Sequence, residues 1–188
     1  VLPKRRRLAS EAIAFHLGLD PAAAEALARQ SFTHSARSFL EILLTSRLDW
    51  RFLEERVRIV SPDLFHAFTT SPRPVVVATG HLGAWECLTL FSRLFWPERQ
   101  RMVVVRRPRD LALHRTMVRL RKGVGIRIVE HRNAAFTVLK GLKRKGVVAF
   151  LVDHNASRDE SFFLPFLGKT AAVNAGPALL AVRGGAQV

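Results

Sequence analysis

Val75-Val76-Val77-Ala78 is a short apolar run without alternation, followed at once by Thr79-Gly80. A strand with one face in water alternates apolar and polar residues, so an unbroken run is expected where a strand is buried on both faces. The signature returns at Arg101 to Val105, Ile126 to Val129 and Val147 to Val152. Between the runs lie helical patterns at Trp85 to Phe95, Asp110 to Lys122 and Asn133 to Lys145. Asp110 and Asn133 stand where N-caps belong, and Gly146 where a helix stops. Strands alternating with helices predict βαβ units and a largely parallel sheet. One more helix is expected from Gly176-Pro177 to Gly184-Gly185, with a strand starting after it.

Upstream of Pro72 the pattern is helical. Asp20-Pro21 supplies an N-cap with proline at the first helical position. Phe32, Ala36, Phe39, Leu40, Leu43 and Leu44 then recur at helical spacing, which predicts a core-facing stripe. The expected fold class is α/β: a largely parallel central sheet with flanking helices and a helical N-terminal layer. The expected division is a helical segment over 1–70 and an α/β core over 71–188. The basic run after Val1 and the Gly184-Gly185-Ala186-Gln187-Val188 end read as cut boundaries, with the core incomplete at its C-terminus.

The 188 residues, 48% of them hydrophobic, exclude disorder through low hydrophobicity. The single cysteine, Cys87, excludes an intramolecular disulfide framework. The longest purely apolar run, Val147 to Val152, is far below the ~20 residues of a membrane-spanning helix. A net charge of +15 favours polyanions: nucleic acid, an acidic membrane leaflet or an acidic carrier protein. Lys4-Arg5-Arg6-Arg7 and Arg99 to Arg109 concentrate that charge.

In open parallel α/β sheets, ligands sit beyond the carboxyl ends of the strands. Thr79-Gly80-His81-Leu82-Gly83-Ala84-Trp85-Glu86 falls there, after the first buried run. Gly80 and Gly83 permit a tight strand-to-helix turn and close approach of a ligand to the backbone. His81 is expected in the turn and Glu86 in the first helical turn, where the helix dipole favours its charge. A carboxylate on one ring nitrogen fixes the tautomer, leaving the other to take a proton from a substrate hydroxyl. The bland alternative for His81 is a structural or surface histidine. Val152-Asp153-His154-Asn155 closes the last buried run and presents Asp153, His154 and Asn155 into a polar loop, again a ligand-side location, unless Asp153 merely caps a turn. Arg119 and Arg121 offer planar forks for phosphate or carboxylate, or else a pair of solvated charges near a helix end.

The sequence lacks G-x-S-x-G, G-x-x-x-x-G-K-[ST] and G-x-G-x-x-G. Serine hydrolysis, NTP hydrolysis and NAD chemistry lose ground accordingly, and direct transfer to a hydroxyl survives. No metal site is expected, because no second His or Cys lies at ligand spacing from His81. No cofactor is expected either.

Gly80-His81-Leu82-Gly83-Ala84-Trp85-Glu86 resembles the G-H-x-G-N-W-E block of the bacterial lipid A biosynthesis acyltransferases, the lauroyl/myristoyl or late acyltransferases of the lysophospholipid acyltransferase-like group with its H-x4-[DE] motif. Val105-Arg106-Arg107-Pro108 is similar to that family's V-Y-R-P segment. The resemblance runs on through the Arg119-Leu120-Arg121 helix and the Leu142-Lys143-Arg144-Lys145-Gly146 turn to Val152-Asp153-His154-Asn155, similar to a D-Q or D-H block. Phe163-Leu164-Pro165-Phe166-Leu167-Gly168 resembles F-V-P-F-F-G, and Ala175 to Ala181 the small-residue helix after it. Ala84 stands where Asn is commoner, and Leu167 where Phe is commoner.

The resemblance implies His81 as general base with Glu86 as its partner, and active-site positions at Arg119 and Asp153. Gly83, Arg106, Arg121, Asn155, Phe163 and Phe166 are the implied substrate-binding positions, the phenylalanines lining an acyl channel or else packing in the core. The implied reaction moves a fatty acyl chain from acyl carrier protein to a hydroxyl of a lipid A precursor, a phosphorylated glycolipid. It would act at the cytoplasmic face of a bacterial inner membrane, against an anionic membrane surface. A phosphatidylinositol mannoside acceptor is open within the same chemistry. The rivals are a nucleic-acid-binding module, for which no recognisable motif is present, and an inactive lipid-binding relative.

Overall fold

In a computed structural model the described residues are 2–44, 51, 55, 57–107, 110–132, 134–158 and 161–188. The chain opens with α1 (Leu2–Leu17), α2 (Pro21–Leu44) and α3 (Pro62–Thr70). It continues as β1 (Val75–Thr79), α4 (Cys87–Phe95), β2 (Arg101–Val105), α5 (Leu111–Gly123), β3 (Ile126–Glu130), α6 (Ala134–Lys143) and β4 (Val147–Leu151). A hairpin, β5 (Ser161–Phe166) and β6 (Lys169–Asn174), and then α7 (Gly176–Gly184) complete it.

β1 to β4 form a parallel sheet in the order β1-β4-β2-β3, flanked by helices, as the unalternating runs predict. Successive side chains of a strand point to opposite faces, and each face here has its own core. Val76, Val148 and Met102 face one way, onto Val138 and Leu142 of α6 and Leu180 and Ala181 of α7. Val75 and Val147 face the other, onto Trp96 with Phe68 of α3 and Phe95 of α4. Where a strand is expected after α7, Gln187 makes an isolated parallel bridge to Val75.

Local chemistry sets the element ends. Asp20 Oδ1 accepts the amides of Ala22 and Ala23 at 3.0 and 3.1 Å, and Asp110 Oδ1 that of Ala112 at 2.9 Å, both as N-caps. The Asn133 cap lies outside the described residues. At the end of α6 the left-handed residue is Lys145, with φ 59°, rather than Gly146. Gly146 is needed for a different reason: a Cβ there would sit 2.8 Å from the Gly141 carbonyl oxygen and 3.0 Å from that of Gln100.

Two expectations are corrected. On α2 the buried positions are Ala24, Ala28, Ser38 and Ile42, whereas Phe39 is 51% and Leu40 63% exposed. Small Ala24 and Ala28, one turn apart, let α1 pack closely, and Glu25 beside them binds Arg6 of α1 at 2.9 Å. Phe39 and Leu40 are left on the outside while Ile42 is buried; the side chains of Leu43 and Leu44 lie outside the described residues. Phe163 and Phe166 do not pack in the core. They sit on the β5–β6 hairpin, which turns through Leu167 (φ 48°) and Gly168 (φ 73°), and both rings are more than half exposed. Among the described residues no helix is long and apolar enough to cross a membrane.

Candidate active site

β1 and β4 are neighbours in the sheet, and their parallel register pairs Thr79 with Leu151. The ladder runs one step further, with the Val152 amide donating to the Thr79 carbonyl at 2.8 Å. Continuing the same offset of 72 residues sets His81 opposite Asp153. The two meet because the sheet delivers both loops to one edge, the carboxyl ends of its strands, where ligands bind in this architecture.

The contact is double. The His81 backbone amide donates to Asp153 Oδ2 at 2.7 Å, and His81 Nδ1 lies 2.9 Å from Asp153 Oδ1. Gly80 makes room for the carboxylate, since a Cβ there would stand 3.3 Å from Oδ2. Burial pushes the Asp153 carboxyl up, but the His81 backbone amide, the His81 ring bond and its charge outweigh it and hold the pKa below the usual carboxylate range. An ionised Asp153 on Nδ1 places the ring proton there and leaves Nε2 as the acceptor. The ring is partly open to solvent, about a third exposed. Trp85 packs on it edge to face with centroids 4.9 Å apart, and in turn meets Phe39 of α2 at 5.6 Å.

Glu86 is not the imidazole's partner here. It is buried, and Arg121 of α5 donates to both of its oxygens, through Nε at 3.1 Å to Oε2 and through Nη2 to Oε1. The Trp85 indole N–H donates to Oε1 at 3.2 Å. Glu86 therefore reaches His81 only through Trp85, bonded to one and packed on the other. The carboxylate took the arginine because α5 turns Arg121 inward, whereas His81 already had an acid from the adjacent strand. A buried carboxylate needs charge-assisted partners, and these bonds supply them.

Arg119 does not join that cluster. It lies two residues from Arg121, about 200° around the helix, and is exposed. Arg106, just past the end of β2, and Asn155, just past Asp153, are exposed on the same sheet edge. Gly83 holds φ 56° in the His81 loop with open space around it. Phe163 and Phe166 stand on the hairpin.

Trp85 and His154 are both neighbours of His81; sequence reasoning gave Trp85 no role and put His154 on the ligand side without joining it to His81. Trp85 lies in the His81 block, so its spacing was visible. His154 comes within reach only because the fold spans the intervening residues: its ring centroid is 4.6 Å from that of His81. Ligand spacing along the chain was therefore the wrong test for metal-binding capacity, since His81, Asp153 and His154 each offer a ligand atom within 4.8 Å of one another.

A paired imidazole at an open sheet edge can take a proton from a hydroxyl. Among family models, the one described as bacterial lipid A biosynthesis acyltransferase matches residues 1–188. No curated protein matches the chain.

Proposed function

The chain belongs to the bacterial lipid A biosynthesis acyltransferase family and is an acyltransferase, and on that premise we propose that it moves a fatty acyl chain from acyl carrier protein to a hydroxyl of a lipid A precursor. The observation that carries this reading is the 2.9 Å contact between His81 Nδ1 and Asp153 Oδ1 at the carboxyl edge of the sheet. Nε2 accepts the proton of the acceptor hydroxyl. The resulting oxygen nucleophile attacks the thioester carbonyl, an ester bond forms, and the carbon–sulfur bond breaks. The imidazolium then returns its proton to the departing thiolate. Asp153 stabilises the charged ring, and positioned acid–base help of this kind is worth ~10²–10⁴ in rate.

Arg106 and Arg119 are the side chains we assign to the acceptor's phosphates, being exposed and planar in their donor groups. Asn155 and the Gly83 loop border the reacting groups, and Arg121 with Glu86 braces Trp85 behind His81. A net charge of +15 suits an acidic carrier protein, a phosphorylated glycolipid and the anionic cytoplasmic face of the inner membrane together.

The test is an acyl-transfer assay pairing acylated carrier proteins with lipid A precursors and with phosphatidylinositol mannosides. Transfer to a lipid A precursor is expected, and replacing His81 with Ala removes it while the circular dichroism spectrum is unchanged. Normal turnover in that variant would overturn the mechanism, and transfer to the mannoside alone would replace the acceptor.

A further inference from the structure

We propose that His81, Asp153 and His154 form a binding site for a borderline divalent cation, Zn²⁺ above all, and that occupation of this site switches the transfer reaction off. The binding half stands on the side chains alone; the switching half rests on the function proposed above.

The donor set is two imidazoles and one carboxylate. Two imidazoles and a carboxylate are a familiar zinc set, binding at about 2.0–2.2 Å and leaving a fourth tetrahedral position for water. Donors on one tetrahedral ion are about 3.3 Å apart at those bond lengths. Here one ligand atom from each residue lies within 4.8 Å of the others, and His81 Nδ1 is 2.9 Å and His154 Nδ1 4.0 Å from the same Asp153 oxygen. Closing the set needs His154, whose side chain is 73% exposed, to swing toward Asp153. It also needs the ion to replace the proton between His81 Nδ1 and Asp153 Oδ1, the pair opening by a few tenths of an ångström from its 2.9 Å contact.

The consequence for the reaction follows from the ring's two nitrogens. If the ion takes Nε2, it takes the lone pair that would accept the hydroxyl proton. If it takes Nδ1, a neutral ring must carry its proton on Nε2, which again has no lone pair to offer. With the ion on Nδ1, the arrangement that also takes Asp153 and His154, Asp153 exchanges its bond to the ring for one to the cation. Zinc on this ring is incompatible with its acting as a base.

Titration of the protein with Co²⁺, followed by visible absorption, reads the site without any turnover. One equivalent is expected to bind with the intensity of a four-coordinate ion and to be displaced by Zn²⁺. His154→Ala and His154→Gln are expected to weaken binding at least tenfold; the exposed side chain lets both variants fold. Absence of the band, or equal affinity in either variant, would overturn the site. In the transfer assay, Zn²⁺ is expected to inhibit the wild-type protein reversibly, with a chelator restoring the rate. The His154→Ala protein should turn over normally and ignore the ion. A wild-type protein that binds Zn²⁺ at the three residues and keeps its rate would overturn the switch. A protein that binds the ion but never transfers an acyl group would overturn the proposed function and leave the cation site established.

Discussion

Asp153 grips His81 at both ends of the residue, one carboxylate oxygen on the backbone amide at 2.7 Å and the other on ring Nδ1 at 2.9 Å. The first bond fixes the loop and the second fixes the ring, so the carboxylate couples the position of the imidazole to its tautomer. Asp153→Ala and Asp153→Asn are both expected to lower kcat by roughly 10²–10⁴ with little change in KM. The amide of the Asn variant can occupy the same space, but it cannot neutralise an imidazolium. Steady-state kinetics on folded variants check this, and an Asn variant with wild-type kcat would remove Asp153 from the mechanism.

Glu86 and Arg121 should behave differently, because their ion pair is buried, the side chains being 3% and 12% exposed. Removing one member leaves the other charged and unsolvated. Glu86→Ala is expected to cost about 3–5 kcal/mol of stability. The double variant Glu86→Ala with Arg121→Met should recover a large part of that loss, since no buried charge is left unpaired. Urea denaturation of the single and double variants measures the coupling. Strict additivity would show that the pair does not act as a unit.

This pair also shows where the sequence was legible and where it was not. The runs of β1, β2 and β4 named their strands because a well-covered strand has no reason to alternate, β3 at the sheet edge exposes Arg127 and Glu130, and the caps at Asp20 and Asp110 formed from local spacing. His81 and Asp153 were each visible at a strand end. Their pairing was not, because it depends on β4 inserting beside β1, a fact of strand order. Glu86, five residues from His81, was the nearer acid along the chain, and proximity in sequence misassigned it. The hairpin was hidden for another reason: its turn uses Leu167 at φ 48°, a conformation that leucine does not advertise.

Acid should destabilise the fold partly through Asp153. Burial raises its pKa, and the His81 amide and ring lower it further, so the folded value lies below the unfolded one of about 3.9. Between those two values the unfolded chain binds more protons than the folded one, and stability rises with pH. The contribution is complete above the unfolded pKa and is lost as pH falls through the folded one. Melting temperatures measured downward from about pH 5 should show a shallower acid limb for Asp153→Asn than for the wild type. Parallel limbs would mean that the carboxylate gains nothing on folding.

Arg101, at the start of β2, is a destabilising feature of the core. It is only 9% exposed, and Nε and Nη1 have no hydrogen-bond partner among the described residues. Burial, and then the nearby charge of Arg93, lower its pKa, the direction expected of a cation held where its charge is unfavourable. Leucine keeps much of the volume and removes the unsatisfied donors. Arg101→Leu is expected to raise stability by about 1–3 kcal/mol. Thermal melting reads this as a shift of several degrees upward, and a fall would show that the guanidinium has a partner that matters.

The β5–β6 hairpin leaves Phe162, Leu164 and Phe166 on one face, each about half exposed or more, with Phe163 beside them on the other. Lys169, directly after the turn, already lies over the Phe15 ring of α1 at 4.4 Å, so basic and apolar groups share this end of the molecule. A surface of that kind should enter the headgroup region of an anionic bilayer. Charge would supply about 1 kcal/mol for each basic residue near it. Burying one phenylalanine adds about 1.5–3 kcal/mol. Sedimentation with phosphatidylglycerol vesicles is expected to show binding that weakens with salt, and Phe162→Ala with Phe166→Ala should lower the partition coefficient at least tenfold. A salt-sensitive partition untouched by those two changes would mean that the basic surface alone makes the contact, with the hairpin standing clear of the lipid.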